Sequence, residues 1–184
     1  MRWAAMLRGI NLGKRQLKSA ELKAVVEGLG YTDVKTLLAS GNVVFTADEA
    51  DAAALEATLH GALFAATGLK SEIFVRSPEE MAAVAAADPF PEATSDRPSF
   101  VVVTFHRKPV DAAAVARLAE SHEGPERMHV IGRELYIDFP DGQGRSTLHP
   151  AMAKAKLDPV NTARNWNTVL KIRDARGCSA SAVG

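Results

Sequence analysis

Apolar positions along the chain change their period several times, and each change predicts an element. Trp3-Ala4-Ala5-Met6-Leu7 is a short apolar run ending near Gly9, the pattern of a buried strand. Leu22, Val25, Val26 and Leu29 then recur at i, i+3, i+4 and i+7, with Ser19 placed to cap the start and Gly30 the end, which predicts a helix. Val34-Lys35-Thr36-Leu37-Leu38 and Val43-Val44-Phe45-Thr46 predict strands separated by Ala39-Ser40-Gly41-Asn42, whose glycine and asparagine tolerate positive φ. Leu55, Leu59 and Leu63 mark the inner face of a second helix that ends near Gly68, and Ser71-Glu72-Ile73-Phe74-Val75 predicts the next strand. The order is βαββαβ, the split arrangement of ferredoxin-like folds.

Ser77-Pro78-Glu79-Glu80 opens a further helix: serine caps, proline takes the first helical position, and the glutamate three residues on can reach back. The proline-rich and polar stretch 88–98 is the candidate boundary. Beyond it, residues 100–105 are almost continuously apolar, as in a strand buried on both faces. Asp111 can cap a helix in which Val110 staples against Val115. Met128-His129-Val130-Ile131 and Leu135-Tyr136-Ile137-Asp138 form a predicted hairpin through Gly132-Arg133, glycine first as a type II′ turn asks. The second half therefore begins β-α-β-β, echoing the first in order but not in obvious sequence. Helical segments are expected around 148–156 and 163–175, the latter capped by Asn161 or Thr162. The expected class is α+β: a ferredoxin-like domain over residues 1–90, a second α+β domain with a C-terminal helix over 98–176, and a flexible tail over 177–184.

Composition narrows the setting. A chain of 184 residues with 47% hydrophobic residues and one cysteine has an ordinary reduced interior and no disulfide scaffold. No stretch approaches the roughly 20 apolar residues that cross a bilayer. The first apolar run is flanked by Arg2 and Arg8 and reads as a strand rather than a signal peptide. No membrane association is expected, and the expected location is cytoplasmic. Net charge is zero, so the chain as a whole does not advertise nucleic acid as a partner. The distribution is uneven, with +5 over residues 1–23, +5 over 145–176 and −10 between them.

The two basic ends also hold the unusual polar motifs. Arg8-Gly9-Ile10-Asn11-Leu12-Gly13-Lys14 allows close backbone approach to an anion among charged and amide donors, at a spacing that is neither a P-loop nor a dinucleotide fingerprint. Ser40-Gly41-Asn42 reads mainly as a turn. Asp141-Gly142-Gln143-Gly144-Arg145-Ser146 is a glycine loop whose N–H groups and Arg145 suit a phosphate or carboxylate. On a helix over 163–175, Trp166 would face the core, while Arg164, Asn167, Thr168 and Lys171 would form a donor stripe without a carboxylate. No His/Cys cluster has zinc spacing and there is no Gly-x-Ser-x-Gly elbow, so no metal or cofactor is expected. Of the scattered histidines, only His149 follows the glycine loop, and it is a candidate base. Asp138 and Asp141 flank the same loop as possible carboxylate partners or metal ligands, and Asp138 is the other candidate base.

Met6-Leu7-Arg8-Gly9-Ile10-Asn11, Ser40-Gly41-Asn42-Val43-Val44-Phe45, Asp141-Gly142-Gln143-Gly144-Arg145-Ser146 and Thr162-Ala163-Arg164-Asn165-Trp166-Asn167-Thr168-Val169 together resemble an uncharacterised bacterial family, domain-of-unknown-function family 1697, over residues 3–172. The resemblance implies a two-part α+β fold of βαββαβ character and supplies no activity, cofactor or catalytic residue. Members commonly carry Gly-Gly where this chain has Gly13-Lys14, and a Leu-Thr-Asn-like segment where it has Leu148-His149-Pro150.

The expected function is binding of an anionic small molecule, a nucleotide or phosphorylated metabolite, by Arg8, Asn11, Arg145, Arg164, Asn167 and Lys171. Three alternatives stay open. One is a metal-independent transferase or hydrolase acting on such a ligand. Another is a nucleic-acid or protein-interaction module. In the third, Arg8, Asn42, Arg145 and Asn167 only tie the fold together by buried hydrogen bonds.

Overall fold

A computed structural model describes residues 1–38 and 41–175. Ser40 of the predicted turn and the 177–184 tail with Cys178 lie outside the described residues. The chain forms two units, Met1–Ala85 together with the residues from Leu170 on, and Ala86–Val169. Among the described residues, no helix is long and apolar enough to cross a membrane.

In the first unit β1 (Arg2–Leu7), α1 (Ser19–Gly28), β2 (Thr32–Leu37), β3 (Asn42–Thr46), α2 (Ala52–Thr67) and β4 (Ile73–Arg76) follow one another, and α3 (Pro78–Ala87) begins. The sheet order is β2-β3-β1-β4, every neighbouring pair antiparallel. β3 thus lies between β1 and β2, the two strands that α1 joins, which makes a split β-α-β unit. Ala5 stands opposite Val43 on one side and Val75 on the other. Residues two apart share a face, so Trp3, Ala5, Leu7, Phe45 and Ile73 join them in a single apolar layer. Leu22 and Val26 of α1 and Leu55, Leu59 and Leu63 of α2 close that layer. Ala4 and Met6 are buried as well, which is why β1 reads as a continuous apolar run rather than an alternating one.

The predicted helix ends hold with one shift. Ser77 N–H donates to the Glu80 carboxylate at 2.8 Å and Glu80 N–H to Ser77 Oγ at 3.2 Å, a reciprocal cap. Gly68 ends α2 at φ +74°. For α1 the cap falls one residue earlier than Ser19, because Glu21 accepts from the N–H of Lys18 at 2.8 Å. Gly41 is structural: it has φ +74°, its carbonyl accepts from Leu7 N–H at 2.9 Å, and a Cβ there would sit 3.0 Å from Leu7 Cβ. Gly41→Ala is expected to lower the unfolding free energy by at least about 1–2 kcal/mol, the cost of a left-handed L-residue, read as a lower urea midpoint with unchanged slope.

The second unit contains α4 (Pro91–Asp96), β5 (Val101–His106), α5 (Ala112–Ser121), β6 (Arg127–Ile131), β7 (Glu134–Asp138), α6 (Leu148–Lys154), β8 (Asn161–Asn165) and the start of α7 (Trp166–Asp174). The expected boundary stretch is thus partly ordered as α4, with Pro91 at its first position. Asp111 caps α5 by accepting from Ala114 N–H at 3.0 Å, and Gly132 takes φ +58° in the β6–β7 hairpin. The sheet order is β6-β7-β5-β8, again antiparallel throughout. From β5 to β8 the second unit therefore repeats the strand order of the first.

That repetition corrects the reading of residues 161–165. They are a strand, not the first turn of a helix: Ala163 lies opposite Thr104 and Asn165 opposite Val102. Pairing satisfies the backbone groups along the edge of β5, which outweighs local helix propensity. The helix starts at Trp166, capped by Asn165 Oδ1, which accepts from Thr168 N–H at 3.0 Å. Arg164 consequently sits on β8 and is not part of a helical stripe with Asn167 and Lys171. Trp166 is buried, its ring 6.5 Å from that of Tyr136, as the predicted core anchor requires.

Candidate ligand-binding site

Antiparallel pairing of β1 with β4 puts the end of one strand beside the beginning of the other, and there the Arg8 motif meets Lys70-Ser71-Glu72. Arg8 N–H donates to the Glu72 carbonyl at 2.9 Å and Ser71 Oγ–H to the Arg8 carbonyl at 2.7 Å. Asn11 shapes the loop from within. At φ +60°, it accepts from Leu17 N–H on Oδ1 at 2.9 Å and donates its own N–H to the Arg15 carbonyl at 2.7 Å. The closed loop brings Arg15 back over Gly9, whose missing side chain leaves the space: a Cβ there would lie 3.3 Å from an Arg15 guanidinium nitrogen. Arg15 also donates to the Lys70 carbonyl. His60 on α2 is held through Nδ1 at 2.8 Å from the Ser71 carbonyl.

These residues surround a pocket of about 540 Å³ lined by Arg8, Gly9, Arg15, His60, Lys70, Ser71 and Glu72. Two guanidinium groups, an amine and an imidazole face it against one carboxylate, that of Glu72. Among the described residues, no carboxylate forms an ion pair with Arg8 or Arg15. Of the six residues expected to hold an anion, Arg8 lines this pocket and Asn11 builds the loop beneath it. Lys171 and Asn167 are exposed on α7, and Arg145 is exposed in a short 3-10 turn, Gln143–Arg145. Arg164 is buried on β8, where it donates to Thr162 Oγ1 and to the Ala163 carbonyl, each at 2.8 Å. Burial pulls its pKa down to about 10.

Arg15, His60, Lys70 and Ser71 were not singled out in the sequence. The signal that would have found them is topological: β1 and β4 are neighbours in a split β-α-β sheet, so residues just before β4 must border the loop after β1.

The two residues considered as bases have different surroundings. Asp138 is fully buried and accepts from Arg97 at 2.7 and 3.2 Å and from Arg127 at 2.8 and 3.2 Å. Arg127 also pairs with Glu92, whose carboxyl that hydrogen bond holds below the usual range. A carboxylate held by two guanidinium forks is a structural counter-ion. His149 is exposed and stacks on Phe139, ring centroids 5.6 Å apart. Asp141 is exposed in the loop. Among the described residues, no three His, Cys, Asp or Glu side chains gather where they could hold a metal ion.

Comparison with known proteins agrees with the fold and is silent on chemistry. The family described as "Protein of unknown function (DUF1697)" matches residues 1–136, a span that includes the Arg8 motif and the pocket. The glycine loop and the Trp166 motif lie beyond that span. A conserved bacterial protein, SP0830 from Streptococcus pneumoniae, is similar in structure with a TM-score of 0.71 and 25% identity, over 96% of this chain and 98% of its own. None of the curated proteins compared with the chain matches it in sequence.

Proposed function

The chain belongs to the DUF1697 family of proteins of unknown function, and from its own residues we propose that it binds an anionic small molecule, phosphorylated or carboxylated, in the basic pocket of the first unit. The supporting observation is the convergence of Arg8, Arg15, Lys70 and His60 on one concave surface floored by Gly9. Guanidinium groups offer paired donors that match the oxygens of phosphate or carboxylate. Asn11 and Ser71 fix the backbone beneath them, so little ordering is needed on binding. A cytoplasmic setting, rich in phosphorylated metabolites, suits such a ligand.

The nucleic-acid alternative is less well supported by the sheets. β1 and β5 are buried on both faces, whereas single-stranded RNA needs an open sheet face with aromatic side chains for stacking.

Thermal shift against inorganic phosphate, nucleoside phosphates and small carboxylates tests the proposal. A ligand at ten times its Kd adds about 1.4 kcal/mol, or roughly 3–6 °C in Tm for a chain of this size. The rise is expected in the wild type and lost in Arg8→Gln with Arg15→Gln. No rise with any anion at ten millimolar, or a rise unchanged in the double variant, overturns it.

A further inference from the structure

The two sheets share one strand order, but the faces they turn towards their helices differ. In the first unit that face of β1 is apolar, with Trp3, Ala5 and Leu7, and is covered by α1 and the 16 residues of α2. In the second, the corresponding face of β5 carries Thr104 and His106, and β8 sets Asn161 opposite His106. The helix over it, α6, has 7 residues. The shorter cover leaves a cavity of about 200 Å³ between β5, β8 and the segment through Pro159. An engineered apolar cavity of about 150 Å³ holds one benzene ring, so this one has room for a ring with substituents.

Its wall has a definite chemistry. Val102, Ile137, Met152 and Ala163 offer apolar surface to ring faces. Thr104, Gln143, His149 and Asn161 offer hydrogen-bonding groups, and Asp158 a further acceptor. Thr104 and Asn161 already have partners within the fold, so the wall favours a ligand that adds hydrogen bonds to it. A planar heterocycle with donors and acceptors on its edge can do so, whereas a hydrocarbon cannot and a bare carboxylate would face Asp158.

A second cavity, of about 420 Å³, shares Met152, Leu157 and Asp158 with the first and is lined by Lys108, Arg117 and Lys156. Thr104 lines one cavity and His106 the other, and the two buried side chains are hydrogen-bonded at 2.8 Å. An apolar slot with a hydrogen-bonding edge therefore adjoins a chamber in which those three cations stand against two carboxylates, Asp158 and the Asp111 that caps α5.

We propose that these two cavities form a mononucleotide site, the base in the slot under α6 and the phosphate against Lys108, Arg117 and Lys156. It shares no residue with the pocket around Arg8 and does not depend on it.

Calorimetric titration with AMP, GMP, CMP and UMP, and with the four nucleosides, tests the site. It is carried out in the Arg8→Gln, Arg15→Gln background, so that heat from the first unit's pocket is removed. At least one monophosphate is expected to bind, more tightly than its nucleoside. Ala163→Phe fills the slot and is expected to weaken both at least about tenfold; Ala163→Leu serves if the phenylalanine variant does not fold. Lys108→Gln with Lys156→Asn, asparagine tolerating the positive φ at that position, should bring the monophosphate to the affinity of the nucleoside and leave the nucleoside unchanged. Absence of heat with all four monophosphates overturns the proposal. So does binding that Ala163→Phe or Ala163→Leu leaves intact, or that inorganic phosphate alone matches.

Discussion

Replacing both arginines that hold Asp138, in Arg97→Met with Arg127→Met, is expected to cost about 3–5 kcal/mol of stability, the usual penalty of leaving a buried charge unpaired. Asp138 has no exposed surface, whereas the side chains of Arg97 and Arg127 are 27% and 45% exposed. The cost is therefore asymmetric. Asp138→Ala removes the wholly buried member of this cluster and leaves two cations that reach water along their stems, so it should cost only about 1–3 kcal/mol. Urea unfolding of the two variants measures the difference. If the aspartate variant is the less stable, Asp138 matters through packing rather than through its charge.

Trp166→Ala should cost about 3–5 kcal/mol, as truncation of a large buried aromatic does. The ring is 4% exposed and lies against Tyr136. Trp166→Phe keeps most of the apolar volume and should cost well under half as much. The same urea experiment checks both. A loss below about 1 kcal/mol for the alanine variant would remove Trp166 from the core and reopen a role in ligand stacking.

Most of the secondary structure was legible along the chain, because most of it is local chemistry. The cap at Ser77, the left-handed glycine after α2, the capping Asp111 and the glycine-first hairpin at Gly132 each carry their reason within four residues. The misread segment, residues 161–165, was local too, but its fate was not. Thr162, Ala163 and Arg164 extend only because β5 offers an unpaired edge, a partner about sixty residues earlier in the chain. The donor stripe inferred from helical spacing is reduced to Asn167 and Lys171, because Thr168 is buried on α7 and Arg164 passed from an expected surface to a buried strand position.

The candidate site divides in the same way. Arg8 and the glycine beside it were visible, since a strand followed by Arg-Gly-x-Asn announces a loop open to an anion. Asn11 was visible as a residue, but its work is to close that loop around Leu17. Arg15, His60 and Lys70 were not visible, because nothing in their neighbourhoods distinguishes them from solvated surface charges.

The sequence alone determined the class of fold, the positions of most helices and strands, the family, and the concentration of basic residues at the chain's two ends. These follow from periodicity, capping and composition, which act over a few residues at a time. Tertiary structure alone decided that 161–165 is a strand, that Asp138 is a counter-ion, and that α6 covers its sheet incompletely. It also decided that a basic pocket is assembled where β1 and β4 lie side by side. Strand pairing and the burial of charge depend on partners far away in the chain, and their free energies exceed any preference that a short stretch of sequence can express.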